Sequence, residues 1–147
     1  MRGMTYRAFL STEKWQEQQW RADRNGAHPD ILEFEKRFLA RMSKLDIPMF
    51  AHNMVRGADY QNRLYVQGFS KAKAGESAHN YGMAVDLIHS TKAWDLTREQ
   101  WSIIGHAGKE VALQGGLKIK WGGDWKSFYD PAHWEIEDWK NKRIAEK

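Results

Sequence analysis

The chain of 147 residues contains no cysteine. That absence removes disulfides, iron–sulfur clusters, thiolate-bound zinc and a cysteine nucleophile from consideration. It leaves the redox compartment undecided. No apolar run approaches the ~20 residues needed to cross a bilayer, so no stable membrane insertion is expected. The opening segment MRGMTYRAFLSTEKW lacks the apolar centre of about 7–15 residues found in secretory signals. Synthesis in the cytoplasm is the corresponding expectation, with any export by another route. Repeats, low-complexity runs and linkers are missing too. The expectation is a single domain, residues 1–147, burying roughly 70% of its unfolded surface. Excess charge is small, a formal +4 with a pI of about 9.3, and gathers only at Lys140, Lys142, Arg143 and Lys147. A mild positive field suits anionic partners such as cell wall, but a solvated terminal helix explains those residues more simply. No nucleic-acid motif is present, and a monomer is expected.

Tryptophan is abundant, with eight residues. Such rings belong in a core or on cleft walls, and Trp94, Trp121, Trp125 and Trp134 are the candidates for walls. Ser11 or Thr12 can cap a first helix running to about Arg24, anchored by Trp15 and Trp20. Pro29 suits the first turn of a second helix, where Ile31, Phe34, Phe38, Leu39, Met42 and Leu45 recur at helical spacing. MFAHNMV reads as a strand, residues 57–68 as a short helix, and FSKAKAGES as an exposed loop. YGMAVDLIH is a strand. Thr97 and Gln100 form a capping box for another helix, which stops at Gly115–Gly116. LKIKW and HWEIE are the last strands, separated by the loop GGDWKSFYDPA. Helices early and strands late predict an α+β fold, with N-terminal helices packed on a small antiparallel sheet.

The stretch SAHNYGMAVD, residues 77–86, resembles ordinary core least. In a strand, Met83, Val85 and Leu87 would share a core face, and Gly82, Ala84 and Asp86 the other. Two very small residues would then leave open space above a carboxylate that needs a partner, and His79 precedes the strand within reach of it. Of the other histidines, His28 in a polar turn and His106 in a helix read as structural or surface residues, while His52 and His89 stay open. His133 stands in YDPAHWEI with Asp130 three residues earlier and Glu135 on the same strand face. Two histidines, one carboxylate and a vacant position make a catalytic zinc site. Three satisfied structural residues would fit the spacing equally well. Asp130 is the candidate general base and Glu135 the second. A serine triad fails, because Ser77 and His79 are poorly placed to meet and Gly-x-Ser-x-Gly is absent. HExxH is absent too.

SAHNYGMAVD resembles the Ser-x-His-x-x-Gly-x-Ala-x-Asp signature of the VanY-like zinc D-Ala-D-Ala carboxypeptidase and L-alanyl-D-glutamate endopeptidase family. That family's fold group includes the hedgehog signalling domain. WGGDW, residues 121–125, followed by DPAHWE resembles the phage-type L-alanyl-D-glutamate endopeptidases. VRGADYQNRLYVQG is similar to the family's Arg-Ser-x-x-x-Gln-x-x-Leu-Tyr segment, with Gly57 where serine is usual. The likeness spans about residues 45–137. It implies zinc in a cleft on the sheet, held by His79, Asp86 and His133, with Asp130 as the catalytic carboxylate. It implies Arg56 facing the developing oxyanion, Gln61 as a scaffold hydrogen-bonder, and Ser77 supporting the His79 loop or binding substrate. Glu135 would orient a ligand histidine, and Trp121 and Asp124 would support the site or touch substrate. The implied reaction is hydrolysis of a peptidoglycan stem-peptide amide, L-Ala–D-Glu first and D-Ala-D-Ala second, by an endolysin released through a holin. A zinc-bearing cell-wall-binding module without catalysis is the alternative.

Overall fold

The apolar periodicity of the second helical segment decides where the core lies. In the computed structural model, which describes residues 3–145, Pro29–Lys44 is an α-helix with Ile31, Phe34, Phe38 and Met42 buried. It is the second helix, α2, after a short α1 at Glu13–Gln18. Four strands follow: β1 Met49–Asn53, β2 Ala84–His89, β3 Ile119–Trp121 and β4 His133–Ile136. They form one antiparallel sheet in the order β1-β2-β4-β3. The remaining helices are α3 Ala58–Val66, α4 Arg98–Gln114 and α5 Trp139–Ala145. This is the expected α+β architecture.

Register assigns the two faces of the sheet. Val85 pairs with Trp134, while Asp86 pairs with His133 and Ala84 with Glu135. Alternation then puts Val85, Leu87, Trp134 and Ile136 on one face and Ala84, Asp86, His133 and Glu135 on the other. The first set meets the helices. Trp134 is fully buried, its ring 5.0 Å from Phe34 and 5.9 Å from Phe38. Gly108 of α4 lets that ring in, since a Cβ there would lie 2.4 Å from it. A buried side chain of this size stabilises by roughly 1.5–3 kcal/mol, so this face anchors the fold and leaves the other free for polar groups.

Several elements differ from the sequence reading. Thr12 caps α1, accepting from Trp15 N at 3.1 Å, but the helix stops at Gln18 instead of reaching Arg24. Long-range partners draw the chain out of helix. Gln19 Nε2 donates to Met49 O at 3.2 Å, Val55 N donates to Asp23 O at 3.0 Å, and Arg24 pairs with Glu35. Trp20 is consequently 81% exposed and anchors nothing. The second predicted strand, YGMAVDLIH, begins only at Ala84 because Ala78–Tyr81 is a 3-10 turn, closed by Gly82 at φ +69°. Gly82 therefore opens no space. A Cβ on it would lie 2.3 Å from Gly26 O, so its smallness admits the backbone that leads into α2. The capping box of Thr97 and Gln100 opens α4 as expected. α5 is not merely solvated, because Trp139 is buried and Arg143 lies over the Tyr81 ring at 5.2 Å. Lys147 lies outside the described residues.

Candidate metal centre

The polar face of the sheet gathers three of the predicted residues from separate parts of the chain. β2 carries Asp86, β4 carries His133, and the 3-10 turn presents His79. Ser77 Oγ accepts from His79 N at 3.2 Å, and Asn80 Oδ1 accepts from Ser77 N at 3.2 Å, so the turn closes on itself. Asn80 Nδ2 donates to Arg56 O at 3.0 Å and fixes it to the segment after β1. The three side chains are buried, and one ligand atom from each lies within 4.8 Å of the others.

Hydrogen bonding fixes which atoms face inward. His79 Nδ1 stands 2.8 Å from Met54 O and donates to it, leaving a lone pair on Nε2. That lone pair points at Asp86 Oδ1, 3.2 Å away. Two acceptors facing each other need a cation between them. His133 Nε2 donates to Glu135 Oε1 at 2.8 Å, and its Nδ1 faces the same Asp86 Oδ1 at 3.0 Å. Ligands about 2.0–2.1 Å from a tetrahedral zinc lie roughly 3.3 Å apart. The donor set and its spacing therefore fit zinc with a position left open toward the cleft.

The electrostatics agree. Burial lowers the pKa of His79 and outweighs the attraction of Asp86, so this imidazole is neutral and able to ligate. Burial would raise Asp86, but the hydrogen bond and charge of His133 hold it well below the usual carboxylate range. Burial also works against His133⁺, yet the hydrogen bonds it donates to Asp86 and Glu135 raise it to about 10. Without metal, the cluster thus keeps a proton where a cation belongs.

Around the cluster lies a cleft of about 250 Å³, lined by Arg56, Ser77, Asp130 and Glu135 and walled by Phe69, Trp125, Phe128 and Trp139. Burial first, and then Asp86, push the Asp130 carboxyl up to about 6, against the pull of His133 and Arg56. Arg56 Nη2 donates to Asp86 Oδ2 at 2.8 Å, and Nη1 donates to Gln61 Oε1 at 3.2 Å. Gln61 is fully buried; its Nε2 donates to Ser70 Oγ at 2.9 Å and Ala72 O at 2.7 Å. It ties the cleft loop to Arg56.

Other candidates lie off the cleft. Trp121 is buried, stacked on Trp134, and its Nε1 donates to Pro131 O at 2.7 Å. It braces the Asp130 segment from behind and touches no cleft space. Asp124 is surface-exposed, paired with Lys109 of α4 at 2.6 Å. Trp134 is core, and Trp94 lines a different groove. His89 Nε2 donates to Met4 O at 2.8 Å, while His52 packs edge-on against Trp94. His28 Nδ1 accepts from Asp30 N at 3.1 Å at the start of α2, and His106 is exposed on α4. The sequence reading missed Phe69, Phe128 and Trp139 as cleft walls. It also missed Met54 O as the partner of His79, since a backbone carbonyl leaves no mark in a sequence.

Known proteins are similar to this chain in sequence and fold. Residues 70–136 match the D-alanyl-D-alanine carboxypeptidase family of peptidases. The chain is 29% identical over 127 residues to peptidoglycan L-alanyl-D-glutamate endopeptidase CwlK of Bacillus subtilis, covering 74% of this chain and 72% of that one. Its fold is similar to that of the L-Ala D-Glu endopeptidase ChiX of Serratia marcescens, with a TM-score of 0.66, 21% identity, and 90% and 92% of the two chains covered. The vancomycin-resistance D,D-pentapeptidase VanY, solved with Zn(II), aligns with a TM-score of 0.55 at 12% identity, covering 82% of this chain and 79% of that one.

Proposed function

We propose that this chain belongs to the D-alanyl-D-alanine carboxypeptidase family and, as a metallopeptidase acting on peptidoglycan, hydrolyses the L-Ala–D-Glu bond of stem peptides with zinc held by His79, Asp86 and His133. The observation that carries the reading is the buried His–Asp–His cluster with Asp130 beside it in one cleft. Likeness to CwlK supports the choice of bond. Bound zinc would supply Lewis-acid polarisation of the scissile carbonyl and lower the pKa of a water to about 7. Asp130 takes the proton of the attacking water and returns it to the leaving amine. Glu135 keeps the His133 ring oriented through Nε2, leaving Nδ1 for the metal. Arg56 holds the outer oxygen of Asp86. Two of its five N–H groups are engaged there and at Gln61, and the others serve negative charge developing on the carbonyl oxygen.

The setting we propose is lysis by a phage endolysin released through a holin. It rests on the likeness of residues 121–125 and 130–135 to the phage enzymes, including aspartate at position 130. Digesting purified peptidoglycan and identifying the new chain ends tests the reaction. New amino-terminal D-glutamate is the expected product. Release of terminal D-alanine would select the carboxypeptidase instead, and zinc without any cleavage would select a binding module.

A further inference from the structure

A second groove lies beside the cleft, on the other side of the segment that carries Asp130. It encloses about 370 Å³ and is lined by Trp94, Leu96, Arg98, Trp101, Tyr129 and Pro131. Tyr129 and Pro131 flank Asp130 in sequence, so one residue separates this groove from the catalytic cleft. Trp94 is 48% exposed and follows Ala93, whose φ of +54° is unusual for a residue with a side chain. The other wall of its ring is His52, edge-on at 4.9 Å. The Arg98 guanidinium lies 4.0 Å over the Tyr129 ring. Flat aromatic surface, a polar guanidinium fork and little other charge suit a sugar, whose C–H face stacks on rings and whose hydroxyl and acyl oxygens accept N–H donors.

The chemistry of the proposed substrate says why a sugar should be there. The L-alanine of a stem peptide is joined through a lactyl group to the glycan, so an L-Ala–D-Glu bond lies only about two residue-lengths, ~7 Å, from a sugar ring. A D-Ala-D-Ala bond lies at the far end of the stem. We infer that the Trp94–Arg98–Tyr129 groove is a glycan subsite, binding the amino-sugar ring next to the stem peptide while its scissile bond lies in the cleft. This rests on the L-Ala–D-Glu reading.

The test compares two soluble substrates on the zinc-loaded enzyme: a disaccharide-tetrapeptide, and the same tetrapeptide without sugar. The wild type is expected to show a higher kcat/KM on the sugar-bearing substrate. Trp94→Ala should cut the ratio of the two kcat/KM values roughly tenfold, the scale of one aromatic contact, mainly through KM. Arg98→Gln should lower the same ratio and serves as the second variant if Trp94→Ala folds poorly. An equal kcat/KM for both substrates in the wild type, or an unchanged ratio in both variants, overturns the subsite while leaving L-Ala–D-Glu cleavage standing. Release of D-alanine with no new amino-terminal D-glutamate from either substrate overturns both.

Discussion

Asp130 and His133 are three residues apart, and their environment drives their proton affinities in the same direction for opposite reasons. Burial and the Asp86 charge lift the Asp130 carboxyl to about 6, because ionising it there adds a second negative charge. A general base must be ionised, and the charge of bound zinc would favour that form, so kcat/KM is expected to rise with pH along a limb centred at or below about 6. Asp130→Asn should remove that limb, keep the metal, and lower turnover by roughly 10²–10⁴-fold. Near-normal turnover in that variant would move the role to Glu135. For His133, raised to about 10, the sign runs the other way. The protonated ring stabilises the metal-free fold fully below its unfolded pKa of about 6.5, and this contribution is lost as pH climbs through about 10. Zinc must displace that proton. Histidine ligands of ordinary pKa would weaken the affinity only below about pH 6. The ion-paired His133 extends the window upward, so zinc affinity should climb at least tenfold per pH unit between roughly 6.5 and 10. Titration calorimetry at pH 8 in buffers of different ionisation enthalpy should find about two protons released per zinc, one from His133 and one from the bound water; release of one or none would contradict the His133 assignment.

At the scale of elements, glycines show which parts of the motifs are packing and which are free. Gly122 accepts from Asp130 N at 3.1 Å, and a Cβ on it would lie 2.3 Å from Asp130 O. Gly122→Ala must therefore push the Asp130 segment outward, and should cost roughly 1–3 kcal/mol in urea unfolding together with most of the activity. Gly57 has open space around it and sits uncapped at the start of α3. Gly57→Ser, which supplies a capping hydroxyl there, should be neutral or stabilising by a few tenths of a kcal/mol in the same assay. These roles explain how far the site could be read from sequence. His79, Asp86 and His133 were legible because their spacing is fixed by a turn, a strand and a register pair. Gly82 was misread as making room above Asp86, because the strand period was carried through a 3-10 turn that ends in a left-handed residue. Trp121 and Asp124 belong to the same short motif as Gly122, but one supports the Asp130 loop from the core and the other pairs with α4 on the surface. Trp20 and the early end of α1 were illegible for another reason, since the bonds that unwind the chain there come from β1 and α2.

For the molecule as a whole, the sheet separates two tasks. Its apolar face, sealed by Phe34, Phe38 and Trp134, holds the fold, and its polar face holds the cluster. A core that does not depend on the cluster predicts that chelation lowers the melting temperature without unfolding the chain at 25 °C. The loss would be about 4 kcal/mol at a free zinc concentration of 1,000 Kd, read by thermal melts with and without chelator. The formal charge of +4 adds a weak attraction to anionic wall. Raising salt should slow digestion of intact peptidoglycan more than cleavage of a small soluble stem peptide. The most direct test of the account is zinc-dependent cleavage in a single preparation. Metal content is counted, the protein is stripped and reloaded, and amino-terminal D-glutamate released from purified peptidoglycan is measured in each state. The account predicts one zinc per chain, with D-glutamate ends that vanish on stripping and return on reloading. D-glutamate ends released equally by the stripped protein, or none from the fully loaded one, would contradict it.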